Sequence, residues 1–140
     1  MRDFKHSLPM ELLKAREAAM ARFRPMLREH GLTEQQWRVI RAMYEYGKVD
    51  ASELARRSFL LAPSLTRILK FLENKKIVRR STDTHDQRRT VLVLTRKGKR
   101  IYSEVGPDSE ALYMEIEKVF GVGKLEALYE LLTDFYTTLR

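Results

Sequence analysis

The side chains of this chain that can do chemistry are mostly cationic, and they are concentrated in its middle third. Residues 56–100 carry 14 lysines and arginines against 3 acidic residues, a local charge of +11, whereas residues 1–55 sum to +2 and residues 101–140 to −5. A surface made only for solubility would spread its lysines; a block of one sign is the footprint of a polyanion binder. Inside the block, Ser64, Thr66, Arg67 and Lys70 lie close together, and Asp86, Arg88 and Arg89 form a second group. Hydroxyls and guanidiniums spaced like this suit hydrogen bonding to phosphate oxygens and base edges. A further constellation is Trp37 with Arg41. Four residues apart on a helix, they share a face, and an aromatic wall beside a fixed cation suits a small ring bearing a carboxylate. The alternative is a core tryptophan with Arg41 stacked on it at the surface.

Other chemistries lack their parts. Without a cysteine there is no thiolate nucleophile, disulfide, thiol sensor or cysteine-ligated zinc. His6, His30 and His85 are too far apart to suggest a metal site by spacing. No nucleophile with a base and no convergent carboxylate pair stands at an interpretable spacing, so the chain reads as a binder and not an enzyme, with no metal and no cofactor. At 140 residues, 44% hydrophobic and 33% charged, it suits one domain with a real core. No apolar run approaches the roughly 20 residues of a bilayer crossing. The N-terminal MRDFKHSLPM lacks a signal peptide's apolar stretch, so a cytoplasmic protein off the membrane is expected.

The elements that must position these groups are mostly helices. Leu8, Leu12, Ala15, Ala19, Phe23 and Met26 recur at three- and four-residue steps from Ser7 onward, the stripe of one long amphipathic helix in which Pro25 is a kink point. Gly31 stops it. Thr33-Glu34-Gln35-Gln36 has the form of a capping box opening a helix to about Tyr46, which Gly47 closes, and Asp50-Ala51-Ser52-Glu53 reads as another box opening a short helix to about residue 57. After a break at Ser58 to Leu61, Pro63 falls in the first turn of a helix over about 62–75. There Leu65, Ile68, Leu69 and Leu72 must face inward, which turns Arg67 and Lys70 outward with Ser64 and Thr66 on the flanks. Short helix, turn, longer helix with a polar and basic outer face is the helix-turn-helix pattern.

Residues 77–82 and 90–94 then read as two strands, with the polar stretch 83–89 as the hairpin tip. The fold class is therefore mainly α with a small β-hairpin wing, a winged helix-turn-helix DNA-binding head over about 33–97. Thr95 caps a fifth helix, which Gly106-Pro107 is expected to interrupt or bend, and Gly121 and Gly123 punctuate the entry to the last one. That helix carries Leu125, Leu128, Leu132, Phe135 and Leu139 at heptad-like spacing, a seam that wants another helix against it. The terminal helices, about 7–30 and 96–140, are read as a dimerisation region, either packed within one chain or joining two. Ser64, Thr66 and Arg67 are the candidates for base contact. Arg56, Arg57, Lys70, Lys75 and Lys76 are assigned to the phosphate backbone, and His85 to phosphate or solvent.

One motif is more specific. Asp83-x-x-Asp86-x-Arg88-Arg89-x-Val91-x-Val93-Leu94-Thr95-x-x-Gly98 resembles the wing and following helix cap of the MarR family of bacterial winged-helix repressors, and the resemblance extends over the whole chain. Ala15-Arg16-Glu17-Ala18, Phe23-Arg24-Pro25 and the run Gly31 to Arg41 are similar to its HpaR branch, regulators of homoprotocatechuate (hydroxyphenylacetate) degradation operons. The resemblance implies that Arg88 enters the minor groove while Asp86 orients it or a neighbour; Arg89 could exchange roles with Arg88, because one sequence does not fix the hairpin register. It implies a small phenolic or aromatic carboxylic acid effector at Trp37 and Arg41, and adds Arg16, Ser7 and Tyr113 as lining. It implies, too, a homodimer bound to double-stranded DNA at a palindromic operator. Relatives of the branch tend to open the recognition helix with Arg-Pro-Ser-x-Thr-Gly, whereas this chain has Ala62-Pro63-Ser64-Leu65-Thr66-Arg67, so the resemblance does not by itself assign the branch's operator to this chain. The contrasting reading is an architectural DNA binder without operator or effector.

Overall fold

The computed structural model describes residues 1–140, which divide into two compact units, Met1–Gly106 and Pro107–Arg140. The first contains a turn of 3₁₀ helix at Phe4–His6, then α1 (Leu8–Glu29), α2 (Glu34–Tyr46), α3 (Ala51–Ser58), α4 (Ala62–Asn74), β1 (Val78–Thr82) and β2 (Thr90–Leu94). The division falls inside α5 (Arg96–Phe120), and α6 (Val122–Leu139) follows. No helix is long and apolar enough to cross a membrane.

The helix boundaries follow from local chemistry. Gly31, at φ +74°, ends α1, and the Leu27 carbonyl accepts both the His30 amide at 3.0 Å and the returning Leu32 amide at 2.9 Å. Two residues on, the Gln36 amide donates to Thr33 Oγ1 at 3.1 Å and Gln36 Oε1 accepts the Thr33 amide at 3.0 Å, the full capping box. Only half of the second box forms. Asp50 Oδ1 accepts the Glu53 amide at 2.8 Å, but the Glu53 carboxylate turns to Arg57 at 2.8 Å. A guanidinium is a stronger partner for a carboxylate than a neutral amide, so the reciprocal bond is lost to the ion pair.

α1 runs on through Pro25 and α5 through Gly106-Pro107, so neither proline ends its helix. A proline clashes with the Cβ of the preceding residue, and at 106 there is none. The missing proline amide then removes one hydrogen bond from a 25-residue helix.

The core of the first unit is aliphatic. Leu27, Val39, Ile40, Met43, Leu54, Leu72, Leu92 and Val105 are all but inaccessible, and the α4 side chains Leu65, Ile68 and Leu69 join them. Burial of one such side chain is worth about 1.5–3 kcal/mol, so α4 is held in a single rotation about its axis. β1 and β2 pair antiparallel from Val78 opposite Leu94 to Thr82 opposite Thr90. Val49, between α2 and α3, adds a bridge to the other side of β2: the Leu92 amide donates to the Val49 carbonyl at 2.7 Å, and the Val49 amide to the Leu92 carbonyl at 3.3 Å. In the second unit, α6 buries none of its residues, and Leu128, Leu132, Phe135 and Leu139 are exposed along it.

The start of α5 is fastened to the root of the wing. Thr95 Oγ1 accepts the Gly98 amide at 3.1 Å and donates to the Lys76 carbonyl at 2.6 Å. A Cβ on Gly98 would overlap the Ile77 carbonyl oxygen and come within 2.9 Å of Leu94 Cδ2. Because the first neighbour is backbone, it has little room to yield. Gly98→Ala is expected to lower stability in urea unfolding by about 1–3 kcal/mol, the usual effect of overpacking, whereas a Cβ on Gly123 in α6 would meet nothing and Gly123→Ala should not.

Candidate nucleic-acid interface

The polar face of α4 is what its buried face leaves over. Thr66, Arg67 and Lys70 are exposed and Ser64 is half-buried. Arg67 Nη2 donates to Ser64 Oγ at 3.4 Å, one helical turn apart. Thr66 donates its own hydroxyl proton to the Ala62 carbonyl at 3.0 Å, which leaves outward its methyl group and an oxygen that can still accept. Lys70 has no partner in the protein. Of the flanking cations, Arg57 is taken by Glu53 and lies 4.0 Å over the Tyr46 ring, and the Lys75 ammonium stands 5.8 Å from the Phe71 ring. Arg56 and Lys76 are exposed.

At the wing tip the two adjacent arginines have different surroundings. Asp83 closes one turn by accepting the His85 amide at 3.0 Å, and Asp86 closes the next by accepting the Arg88 amide at 3.0 Å. Asp86 thus acts on Arg88 through the backbone, and the Arg88 guanidinium projects without a partner in the protein. Arg89 is pinned by three carboxylates, at 3.1 Å from Asp50, 3.4 Å from Asp83 and 3.8 Å from Glu53. Two of these belong to the first turn of α3 or its cap, so Arg89 ties the wing to the helix-turn-helix. The Glu53 amide, and then Arg89, holds the Asp50 carboxyl below the usual carboxylate range. The His85 amide and Arg89 do the same for Asp83. His85 is exposed.

The residues associated with an effector are more scattered. Trp37 faces the core with 8% of its surface exposed; its ring stacks on Tyr102 at 5.7 Å, and Tyr102 stacks on Tyr44 at 3.7 Å. Arg41, one turn beyond Trp37, is half-exposed and stands 3.6 Å from Glu45. Arg16 reaches from α1 to Glu34 at 2.8 Å, and the Ser7 hydroxyl donates to the Phe4 carbonyl at 3.2 Å. Tyr113 lies on α5 in the second unit. A cleft of about 230 Å³ is lined by Arg24, Arg28, Leu32, Thr33 and Glu34, and by none of these five.

Sequence reasoning missed Tyr102 and Tyr44 as partners of Trp37, and Asp50, Glu53 and Asp83 as anchors of the wing. Tyr44 falls seven residues after Trp37, a helical spacing that could have drawn attention to it; the anchors had no such signal, since they meet Arg89 only through the fold.

A family model described as the MarR family matches residues 32–90. The HTH-type transcriptional regulator FarR of Neisseria gonorrhoeae is 43% identical over 131 residues, covering 93% of this chain and 90% of the relative. The homoprotocatechuate degradative operon repressor of Escherichia coli is 42% identical over 129 residues, 92% of this chain and 87% of the relative. Among solved structures, NadR in complex with 4-hydroxyphenylacetate has a TM-score of 0.80 at 40% identity, with 96% of each chain covered.

The wing tether has a pH dependence of known sign. Carboxyls held below their ordinary value contribute fully above about pH 4 and lose that contribution as the pH falls through their lowered values. The protection of the Asp83 and Arg89 amides against hydrogen exchange, taken relative to unstructured amides at each pH, should hold down to about pH 4 and fall below it. Protection unchanged through the acidic range would remove the two carboxyls from the tether.

Proposed function

The chain belongs to the MarR family of transcriptional regulators, and from that membership we propose that it works as a homodimeric, sequence-specific repressor released from a palindromic operator by a small aromatic acid. DNA binding, not catalysis, is its activity, as in the regulators and repressors to which it is similar. The operon it controls is proposed to serve catabolism of a hydroxyphenylacetate- or homoprotocatechuate-like compound. Two relatives support that finer reading: one is a repressor of a homoprotocatechuate operon, and the other forms a complex with 4-hydroxyphenylacetate.

The observation that carries the DNA reading is the division of labour at the wing. Arg88 projects unpaired while Arg89 is spent on three carboxylates. In this reading α4 enters the major groove, where Ser64, Thr66 and Arg67 meet base edges; a bidentate arginine–guanine pair is worth about 1–3 kcal/mol of discrimination. Lys70 neutralises phosphate and adds affinity without sequence preference. Arg88 enters the adjacent minor groove, whose negative potential is greatest where it is narrow and A/T-rich. Two-fold pairing through the terminal helices gives the exposed apolar side chains of α6 a partner and sets the two heads about 34–36 Å apart, one turn of DNA.

For the effector, Arg41 is the proposed carboxylate partner. Its ion pair with Glu45 is long and half-exposed, and such surface pairs are worth only about 0–1 kcal/mol, so a ligand carboxylate can take the guanidinium over. Trp37, stacked on Tyr102, supports the aromatic wall, with Arg16 and Ser7 as further lining. Release requires the ligand to favour a conformation whose heads no longer span successive grooves. About 1.4 kcal/mol of coupling between the two sites suffices for a tenfold loss of operator affinity.

Two substitutions test the reading, with DNA from upstream of the chain's own gene as probe. Arg88→Ala should weaken binding in a band-shift assay by about tenfold or more while stability stays within about 0.5 kcal/mol, as for other exposed sites. Unchanged affinity would reject the wing assignment. Arg41→Ala should bind the same DNA as before yet ignore a panel of phenolic acids that releases the wild type; normal release by the acids would remove Arg41 from the effector site.

A further inference from the structure

The helix-turn-helix is fastened by a guanidinium that contributes nothing to the exposed basic face. Arg38 lies on α2 with 30% of its side chain exposed. Its Nη2 donates to both Glu34 carboxylate oxygens, at 2.7 and 2.9 Å, and its Nε to one of them at 3.1 Å. The remaining nitrogen, Nη1, donates to the Ser58 carbonyl at 2.9 Å and lies 3.5 Å from that of Phe59. Ser58 is the last residue of α3, where carbonyls lack helical partners and the helix dipole is negative, so a cation is well suited there. Phe59 follows in the left-handed region at φ 54°, a conformation that costs a bulky residue energy unless its surroundings hold it. Only Leu60 and Leu61 separate it from α4.

We propose that Arg38, braced by Glu34, is a positioning residue for DNA recognition: it fixes where the chain leaves α3 and hence where the N-terminal end of α4 stands. The inference rests on the reading of α4 as the recognition helix. Arg38 touches no DNA in this account; it acts through the turn. The planar fork is what the geometry demands, because one guanidinium can grip a carboxylate with two nitrogens and still offer a third to a carbonyl, which a lysine ammonium cannot do at both distances. Glu34 Oε1, which takes both Nε and Nη2 of Arg38, also accepts Arg16 Nη2 at 2.8 Å. Helix α1 therefore bears on the same carboxylate that braces the turn.

The test compares wild type, Arg38→Lys and Glu34→Gln against two duplexes, one enriched by the wild type from a randomised library and one of random sequence, over a range of salt. Arg38→Lys keeps the charge but loses the fork. Its affinity for the enriched duplex should fall by about tenfold, the scale of one lost base contact, while random-duplex affinity stays within about twofold and the salt slope is unchanged. Glu34→Gln, which removes the brace, should shift the same ratio in the same direction and decides the question if the lysine variant does not fold. A wild-type ratio in both variants would overturn the proposal, as would equal losses on both duplexes. If the wild type itself does not prefer the enriched duplex, the operator reading fails and this inference falls with it; preference retained by wild type and variants alike sinks only the inference.

Discussion

A helix that buries aliphatic side chains at i, i+3, i+4 and i+7 has no freedom to rotate. That is the state of α4, where Leu65, Ile68, Leu69 and Leu72 enter the core beside Val39, Ile40, Met43 and Leu54. Turning the helix by a single residue, about 100°, would bring charged or hydroxylic groups into an aliphatic interior and expose leucine in their stead. The outward direction of Ser64, Arg67 and Lys70 is thus a consequence of hydrophobic burial and does not depend on any polar contact they make. Specific recognition needs its donors aimed before the DNA arrives, and in the proposed reading the aim is set by the buried face of α4.

The wing obeys a different constraint. A hairpin tip of polar residues has no core to orient it, so orientation comes from charge and from turns closed by carboxylates. Asp83 and Asp86 each accept the amide two residues on, His85 and Arg88, and Arg89 draws three carboxylates from two places in the chain to one point. Exposed ion pairs are individually weak, but a guanidinium shared among several is worth more than a lone pair, and Leu92 is bonded to Val49 nearby. The wing is therefore referenced to the cap of α3, the helix whose other end is gripped by Arg38.

Much of this architecture was legible in the sequence, because its signals are local. The Thr33 box, the glycines at 31 and 47, the four inward residues of α4 and the β-branched strands each declare themselves within a few residues of chain. What escaped notice depends on partners distant in sequence. Glu53 fits a reciprocal cap by spacing, but Arg57 and Arg89 compete for it. Val49 has no strand pattern around it, and it pairs only because β2 passes alongside. Gly106-Pro107 looks like a break, yet α5 runs on through it. Arg88 and Arg89 are indistinguishable as letters, and the distinction rests on carboxylates that folding brings to one of them. Trp37 combined a pocket reading with a core reading, and its side chain is buried against Tyr102. The effector residues depend on a resemblance more than on chemistry visible in the chain.

With Val49 against β2, the unprotected rim of the sheet is the outer flank of β1, and Arg79 and Arg80 occupy it. An open β flank is ordinarily a template on which further chains can stack. Here a second copy approaching side by side would bring guanidiniums against guanidiniums, and Arg80 is already engaged with Glu73 at 2.6 Å. Like charge on the open flank of β1 thus opposes side-by-side stacking of hairpins, the kind of protection that edge strands ordinarily need.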